Sequence, residues 1–553
     1  MDYPLTQPVE LERASAGGAL RRETLGYLAM LLLAAAFLIG TTANSGLAAW
    51  SDEGGYRAML RYFIASGRVD YMHWSQPTFV GVLFTVVPWI KAFGSSQQSL
   101  QNLGVLHGIA LICGIYLFLT RYTRPGIACL LTLCLFLFGE FLRLIPAFMT
   151  DVYYLTYFVW FLLVHQRLET CHVSGASKKL TPLWIAWGGL FLLAGLTRSF
   201  IFILIPLFVA QALMFKDTQR QFAFRSVAGS LVVFALFYII THAITYNGFK
   251  LIELTIAREV LVNHDWKRFE LRTLFIVFLH ICVISLPALL LSEGARLRKV
   301  SPVEAILSLV TLIAGVYFWR KGLLPAIFTI PSVPQIATLC LLLQIVVAPI
   351  GAVLIWRILC IVFREAVQTS HRAKNGGPIE LGNASTLQIL LLTVAIHFAI
   401  LPVMQHPMLR YVLPAYLALI LLIGALGARW QRAPGYCAIG IVAVLCVYSA
   451  FSGQSERRVN AEVVRLADEL YRSGKPLDDI YGGWTWFCLH SIRPGQLDSI
   501  GYMRRYADNQ KAARFAVVEE DSNEASGRKL RSERVVTPLG ARTVSVFDRQ
   551  PAQ

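Results

Sequence analysis

The chain has 553 residues, 56% of them hydrophobic and 15% charged, with a mean hydropathy of +0.57. So large an apolar share excludes an ordinary soluble domain, and continuous apolar runs near the ~20 residues a helix needs to cross a bilayer argue against a β-barrel. The net charge of +17 reads as basic loops facing anionic lipid, and no nucleic-acid partner is expected.

A polar N-terminus carrying Arg13, Arg21 and Arg22 precedes the first apolar run, near 25–43, and shows no small-residue cleavage site, so no cleavable signal is expected. Further runs lie near 103–120, 125–141, 152–166, 182–197, 200–215, 226–246, 273–291, 303–318, 336–356, 385–403, 411–428 and 436–452. They predict an all-α polytopic membrane protein of roughly 13 spans. The stretch Pro77–Phe93 is apolar but short, and Pro77, Pro88 and Lys91 interrupt or flank it; it reads as a juxtamembrane helix lying in the interface. With the N-terminus inside, basic residues divide about 20 to 14 in favour of the cytoplasmic loops. That orientation divides the chain into a membrane domain, 1–452, with an outer juxtamembrane loop at 44–102, and an extracytoplasmic α/β domain, 453–553. The latter is read as a helix near 455–473 followed by strand-like LDDIYGGW, ARFAVVEE, ERVVTP and ARTVSVFD. It offers no catalytic constellation of its own. The ten cysteines lie mostly in or beside apolar runs, with Cys171 in a basic loop and Cys488 in the tail; with no CxxC pair, neither a disulfide framework nor a zinc site is expected.

On this topology the ionisable residues of the outer side collect together. Asp52 and Glu53 follow the first span, with Tyr56, Asp70, His73 and Gln76 in the same loop. Asp151 opens the fourth span, Arg198 breaks AGLTRSFIFIL, and Arg410 and Tyr411 open the twelfth. Each has a plainer reading. Asp52–Glu53 could be a solvated loop or a helix N-cap, and Asp151 an N-cap after Thr150. Arg198 could snorkel, Arg410 could anchor at the interface, and His73 could be an interfacial residue. His280 and His397, inside apolar runs, read as packed, hydrogen-bonded residues. Their shared side is the argument for a polar pocket, since each would be costly against lipid alone. In such a pocket a guanidinium fork suits a phosphate and a carboxylate suits a general base.

The pieces SDEGGYRAMLRYFIASGRVDYMHWSQP, IKAFGSSQQSLQNLGVLHG, TDVYYL, LAGLTRSF and LRYVLPAYLAL, in this order and spacing over roughly 45–430, resemble the GT-C class of polyprenyl-phosphate-sugar-dependent glycosyltransferases. Within it, the protein O-mannosyltransferases and the aminoarabinose transferase of lipid A are nearest in pattern. The resemblance implies a multi-pass protein of the inner (plasma) membrane that moves a sugar from a polyprenyl-phosphate donor to a glycolipid, glycan or protein acceptor, with inversion. It implies Asp52 as base, Glu53 as its support and Asp151 as a second acid. It implies Arg198, Arg410 and Tyr411 at the donor phosphate, and Tyr56, His73 and Gln76 at the substrate. No cofactor is certain; a divalent metal ion held by Asp52, Asp151 and His73 is a candidate. Three places depart from the pattern: Gln76-Pro77 replaces the usual Lys-Pro or His-Pro, Gln101-Asn102-Leu103 replaces Arg before Leu-Pro, and Leu196-Thr197-Arg198-Ser199 replaces Leu-Thr-Lys-Gly. The rival readings are a transporter or flippase, a polymerase of lipid-linked saccharides, and a subunit without activity. Charge gathered at one face, with no repeat of two halves, speaks against transport.

Overall fold

The computed structural model describes residues 17–43, 52–69, 79–173, 180–215, 217–245, 271–290, 300–321, 334–374, 384–400, 409–425, 436–490, 499–522 and 524–549. The apolar body consists of α1 (Gly17–Ala43), α2 (Glu53–Ser66), α3 (Val80–Phe93), α4 (Gln97–Leu119), α5 (Pro125–Cys134), α6 (Gly139–Leu144), α7 (Thr150–Val173) and α8 (Leu180–Thr197). It continues with α9 (Leu204–Met214), α10 (Asp217–Ile244), α11 (Leu271–Leu290), α12 (Pro302–Arg320), α13 (Pro334–Lys374), α14 (Ala384–Ile400), α15 (Leu413–Ala425) and α16 (Tyr436–Arg472). The C-terminal part adds β1 (Ile480–Tyr481), α17 (Gly483–His490), α18 (Ser499–Ala512), β2 (Phe515–Glu519), β3 (Arg528–Thr537) and β4 (Gly540–Asp548).

The protein is all-α and polytopic in its apolar body, but the expected span count needs correction. Among the described residues, 7 helices are long and apolar enough to cross a membrane, not roughly 13. Apolar helices of 10–17 residues account for five of the other expected spans, Arg410–Ala425 among them, and Val80–Phe93, read above as interfacial, is of the same short kind. A hydropathy sum cannot see a break in the backbone. The run near 200–215, for instance, is a 3₁₀ turn, Ser199–Ile203, joined to the 11-residue α9, and at 1.5 Å per residue such a helix falls well short of a ~30 Å hydrocarbon core. α7 is long, but it carries His165, Gln166, Arg167, Glu169 and His172 towards its C-terminal end.

α7 and α15 are the central helices. Every residue of α15 from Leu413 to Gly424 is buried, and nearly all of α7 is buried up to His172. Hydrogen bonds set their depth: Tyr416 OH donates to Cys134 O at 2.6 Å, Thr156 Oγ1 to His107 O at 3.0 Å, and Trp160 Nε1 to Ala110 O at 3.1 Å. Near its C-terminal end α7 is latched to α8, α14 and α9 by a directional chain. Trp187 Nε1 donates to His165 Nδ1 at 3.0 Å, so Nε2–H faces Ser385 Oγ at 3.0 Å, and Ser385 in turn donates to Gln211 Oε1 at 3.2 Å. A buried donor or acceptor left unmade is costly, so this chain fixes the angle at which α7 runs. Both central helices point their N-terminal ends the same way, towards the site described below.

α16 runs unbroken for 37 residues from the apolar body into the C-terminal unit. Along it, Arg457 is buried and donates to the carbonyls of Arg143 and Pro146 at 3.4 Å, at the end of α6. Further on, Val459, Leu466 and Ala467 pack against Ile480, Val517, Val544 and Val546 of a four-stranded sheet ordered β1-β2-β4-β3. β1 pairs with β2 in parallel; the other pairings are antiparallel. β3 extends upstream of the expected ERVVTP to Arg528. The expected strand LDDIYGGW keeps only Ile480–Tyr481, because Gly483 takes φ 71°, a left-handed turn that starts α17.

Candidate active site

Four chain junctions meet at one place, each a point where a helix begins or breaks. Asp52 is the N-cap residue of α2, Thr150 and Asp151 open α7, Arg198 separates α8 from the 3₁₀ turn, and Arg410 and Tyr411 lie in a second 3₁₀ turn, Leu409–Val412, before α15. The plain N-cap reading of Asp52 fails on geometry. It occupies the cap position but makes no side-chain cap bond. Instead Oδ2 is ion-paired with Arg410 Nη2, and Oδ1 accepts from Trp484 Nε1 at 2.7 Å. Asp151 Oδ1 pairs with Arg198 Nη2 at 2.5 Å. Both pairs are out of water, with no side chain in them more than 8% exposed.

The two pairs are neighbours. The guanidinium groups of Arg198 and Arg410 both approach the Tyr411 ring, 5.7 and 5.2 Å from its centroid, in cation–π contact. Thr150 links the pairs to α2: its hydroxyl lies 3.5 Å from Arg198 Nη2 and 3.2 Å from Tyr56 OH. Burial pushes the Tyr56 phenol up, so it remains a neutral hydroxyl, and its ring stacks on Phe79 at 5.7 Å. Asp151, Arg198, Arg410 and Tyr411 line a cleft with Tyr154 and His397. His397 is packed and hydrogen-bonded as expected, through Nδ1 to Thr393 O at 2.8 Å, and its ring faces Phe200.

Asp52, Asp151, Arg198, Arg410 and Tyr411 are thus brought together, though Asp52 lies behind Arg410 and not on the cleft wall. Glu53 diverges from its neighbour, as one residue of helix turns a side chain by about 100°. It is fully buried and accepts from Gln101 Nε2 at 3.3 Å. Gln101 stands where the sequence departs from the family pattern, so that departure faces an acid. Tyr56 sits one layer back, behind Thr150. His73 and Gln76 lie outside the described residues. Two participants were not foreseen, Thr150 and Trp484. Thr150 stands in the sequence only as the residue before Asp151, and nothing there gives its hydroxyl a role; nothing local marks Trp484, which lies 432 positions further along the chain than Asp52.

The described donors do not suit a divalent cation as they stand. Both oxygens of Asp52 are engaged, and both acids face guanidinium groups; of the four oxygens of these two acids, Asp151 Oδ2 alone is buried with no hydrogen-bond partner. Among the described residues, no group of three or more His, Cys, Asp or Glu side chains converges. Chemically, the arrangement is two cations poised for an anion, with two carboxylates that an anion would displace.

No family model matches the chain, and no curated protein matches it. Among solved structures, ArnT from Cupriavidus metallidurans bound to undecaprenyl phosphate is 15% identical, with 94% of this chain and 98% of that one covered and a TM-score of 0.39. The archaeal oligosaccharyltransferase AglB from Archaeoglobus fulgidus, in complex with an inhibitory peptide and a dolichol-phosphate, is 12% identical over 90% of this chain and 69% of its own, with a TM-score of 0.44. The Archaeoglobus fulgidus oligosaccharyltransferase complex with Zn and sulfate is 12% identical, covers 94% and 73%, and has a TM-score of 0.47.

Proposed function

We propose that the protein is an integral membrane glycosyltransferase of GT-C type that uses a polyprenyl-phosphate-linked sugar on the extracytoplasmic side of the plasma membrane. The observation that carries this reading is the pair of buried acid–guanidinium contacts sharing one cleft around Tyr411. A buried ion pair is weak support for stability alone, and two of them at the mouths of the two central helices suit a site that exchanges one anion for another.

In the proposed reaction the donor phosphate enters between Arg198 and Arg410 and takes over their hydrogen bonds. Asp52 Oδ2 is released and accepts the proton of an acceptor hydroxyl. The acceptor oxygen forms a bond to the anomeric carbon as the bond from that carbon to the phosphate oxygen breaks. The electron pair leaves on the phosphate, where the two guanidinium groups stabilise the growing charge. The lipid product is polyprenyl phosphate, and the anomeric centre inverts. Asp151 holds Arg198 in place between turnovers. The acceptor is a glycolipid, glycan or protein hydroxyl reached from the same face.

The test is release of polyprenyl phosphate from radiolabelled polyprenyl-phosphate sugars by purified protein with membrane-extract acceptors. Movement of the donor across liposomes without cleavage would favour the transporter reading instead. Because the described acids face guanidinium groups, chelation with EDTA is expected to leave the rate of release unchanged. Loss of activity that Mg²⁺ or Mn²⁺ restores would overturn that and favour His73 as a ligand beside the two acids.

A further inference from the structure

α17 belongs to the C-terminal unit, yet it reaches the proton acceptor. Its Trp484 Nε1–H holds Asp52 Oδ1 at 2.7 Å while Arg410 holds Oδ2. The two holders differ in kind. A guanidinium can be drawn away by a phosphate; a neutral indole N–H has no reason to follow it. When Arg410 turns to the donor, Oδ2 is uncovered and Oδ1 stays fixed, so the carboxylate keeps its aim. We propose that Trp484 is a positioning residue for Asp52, and that the C-terminal unit thereby completes the catalytic centre. This rests on the transferase reading above.

Two further features support it. The approach of α17 to α2 is built into the backbone: a Cβ on Gly54 would lie 2.7 Å from the Cys488 carbonyl carbon and 2.8 Å from its oxygen and from Leu489 N. Only glycine admits that contact, two residues after Asp52. Trp484 is itself held. Its ring meets Tyr506 edge-on at 5.0 Å and stacks with Phe487 at 5.8 Å. On α17, Trp486 Nε1 and His490 Nε2 both bond Asp468 Oδ1 of α16, at 2.9 and 2.8 Å. An indole used only for packing would need neither the close backbone approach nor an N–H aimed at an acid.

The experiment uses the full-length purified protein. Trp484→Phe keeps an aromatic ring, though a smaller one, and removes the donor. It is expected to lower kcat about 10²-fold, the scale of a small misplacement at a reacting group, with donor KM unchanged; Trp484→His, which retains a ring N–H, is expected to recover part of the loss. Wild-type kcat in Trp484→Phe, or equal loss in both variants with a raised KM, would overturn the proposal. A second arm does not depend on turnover: thermal unfolding of Trp484→Phe, Asp52→Ala and the double variant. Non-additive shifts support the contact and additive ones overturn it. If no donor is cleaved by the wild-type protein, the transferase reading fails while this cycle still decides whether Trp484 holds Asp52.

Discussion

Asp52→Asn is expected to lose transfer and gain affinity for the donor phosphate. The loss follows from the proton: an amide oxygen does not accept it from the acceptor hydroxyl, and a positioned base contributes about 10²- to 10⁴-fold. The gain follows from Arg410. In the wild-type protein its guanidinium is spent on the Asp52 carboxylate, and a ligand that needs it free binds more weakly by the fraction of time it is free. Asparagine keeps the oxygen that Trp484 bonds and removes the charge that competes with phosphate. Undecaprenyl phosphate titrated into detergent-purified protein should therefore bind Asp52→Asn more tightly than wild type, while release of product falls by about 10³-fold. Weaker binding together with lost turnover would make Asp52 a structural partner of Arg410 and not the base.

Arg198→Leu is expected to be the most destabilising change at the site. It leaves Asp151 buried with one oxygen already lacking a partner and the other stripped of its cation, and removing one member of a buried pair costs about 3–5 kcal/mol. Leu at both positions removes both charges, and the double variant Arg198→Leu with Asp151→Leu should recover most of the lost thermal stability. It should not recover binding of undecaprenyl phosphate, which needs the guanidinium. Thermal unfolding read beside ligand binding separates the two roles. A double variant no more stable than Arg198→Leu alone would mean that the pair is not what holds α7 and α8 together there.

That Asp52, Asp151, Arg198 and Arg410 meet in one place was legible in the sequence, because ionisable side chains in so apolar a chain demand partners. Which acid meets which cation was not, since Arg198 and Arg410 both sit at chain breaks that could turn either way. Asp52 and Glu53 look equivalent as neighbours; the helix that begins there sends one to Arg410 and the other to Gln101. Hydropathy overcounts the spans for a related reason. Apolar sums register composition, and the breaks at Ser199–Ile203 and Leu409–Val412 that place the two arginines are invisible to them. Trp484 lay in a stretch whose alternation suggested a strand, and a single left-handed glycine converts it into the helix that presents the indole.

One hydrogen bond joins two residues that lie 432 positions apart in the chain, so the earlier of them is made long before its partner. Before α17 has been made, the membrane helices can insert and the two ion pairs can form. A nascent chain, or one cut short before α17, would carry both charges of each pair and still lack the group that aims its base. Until that helix has packed against α2, the carboxylate would be held by its guanidinium alone, from one side.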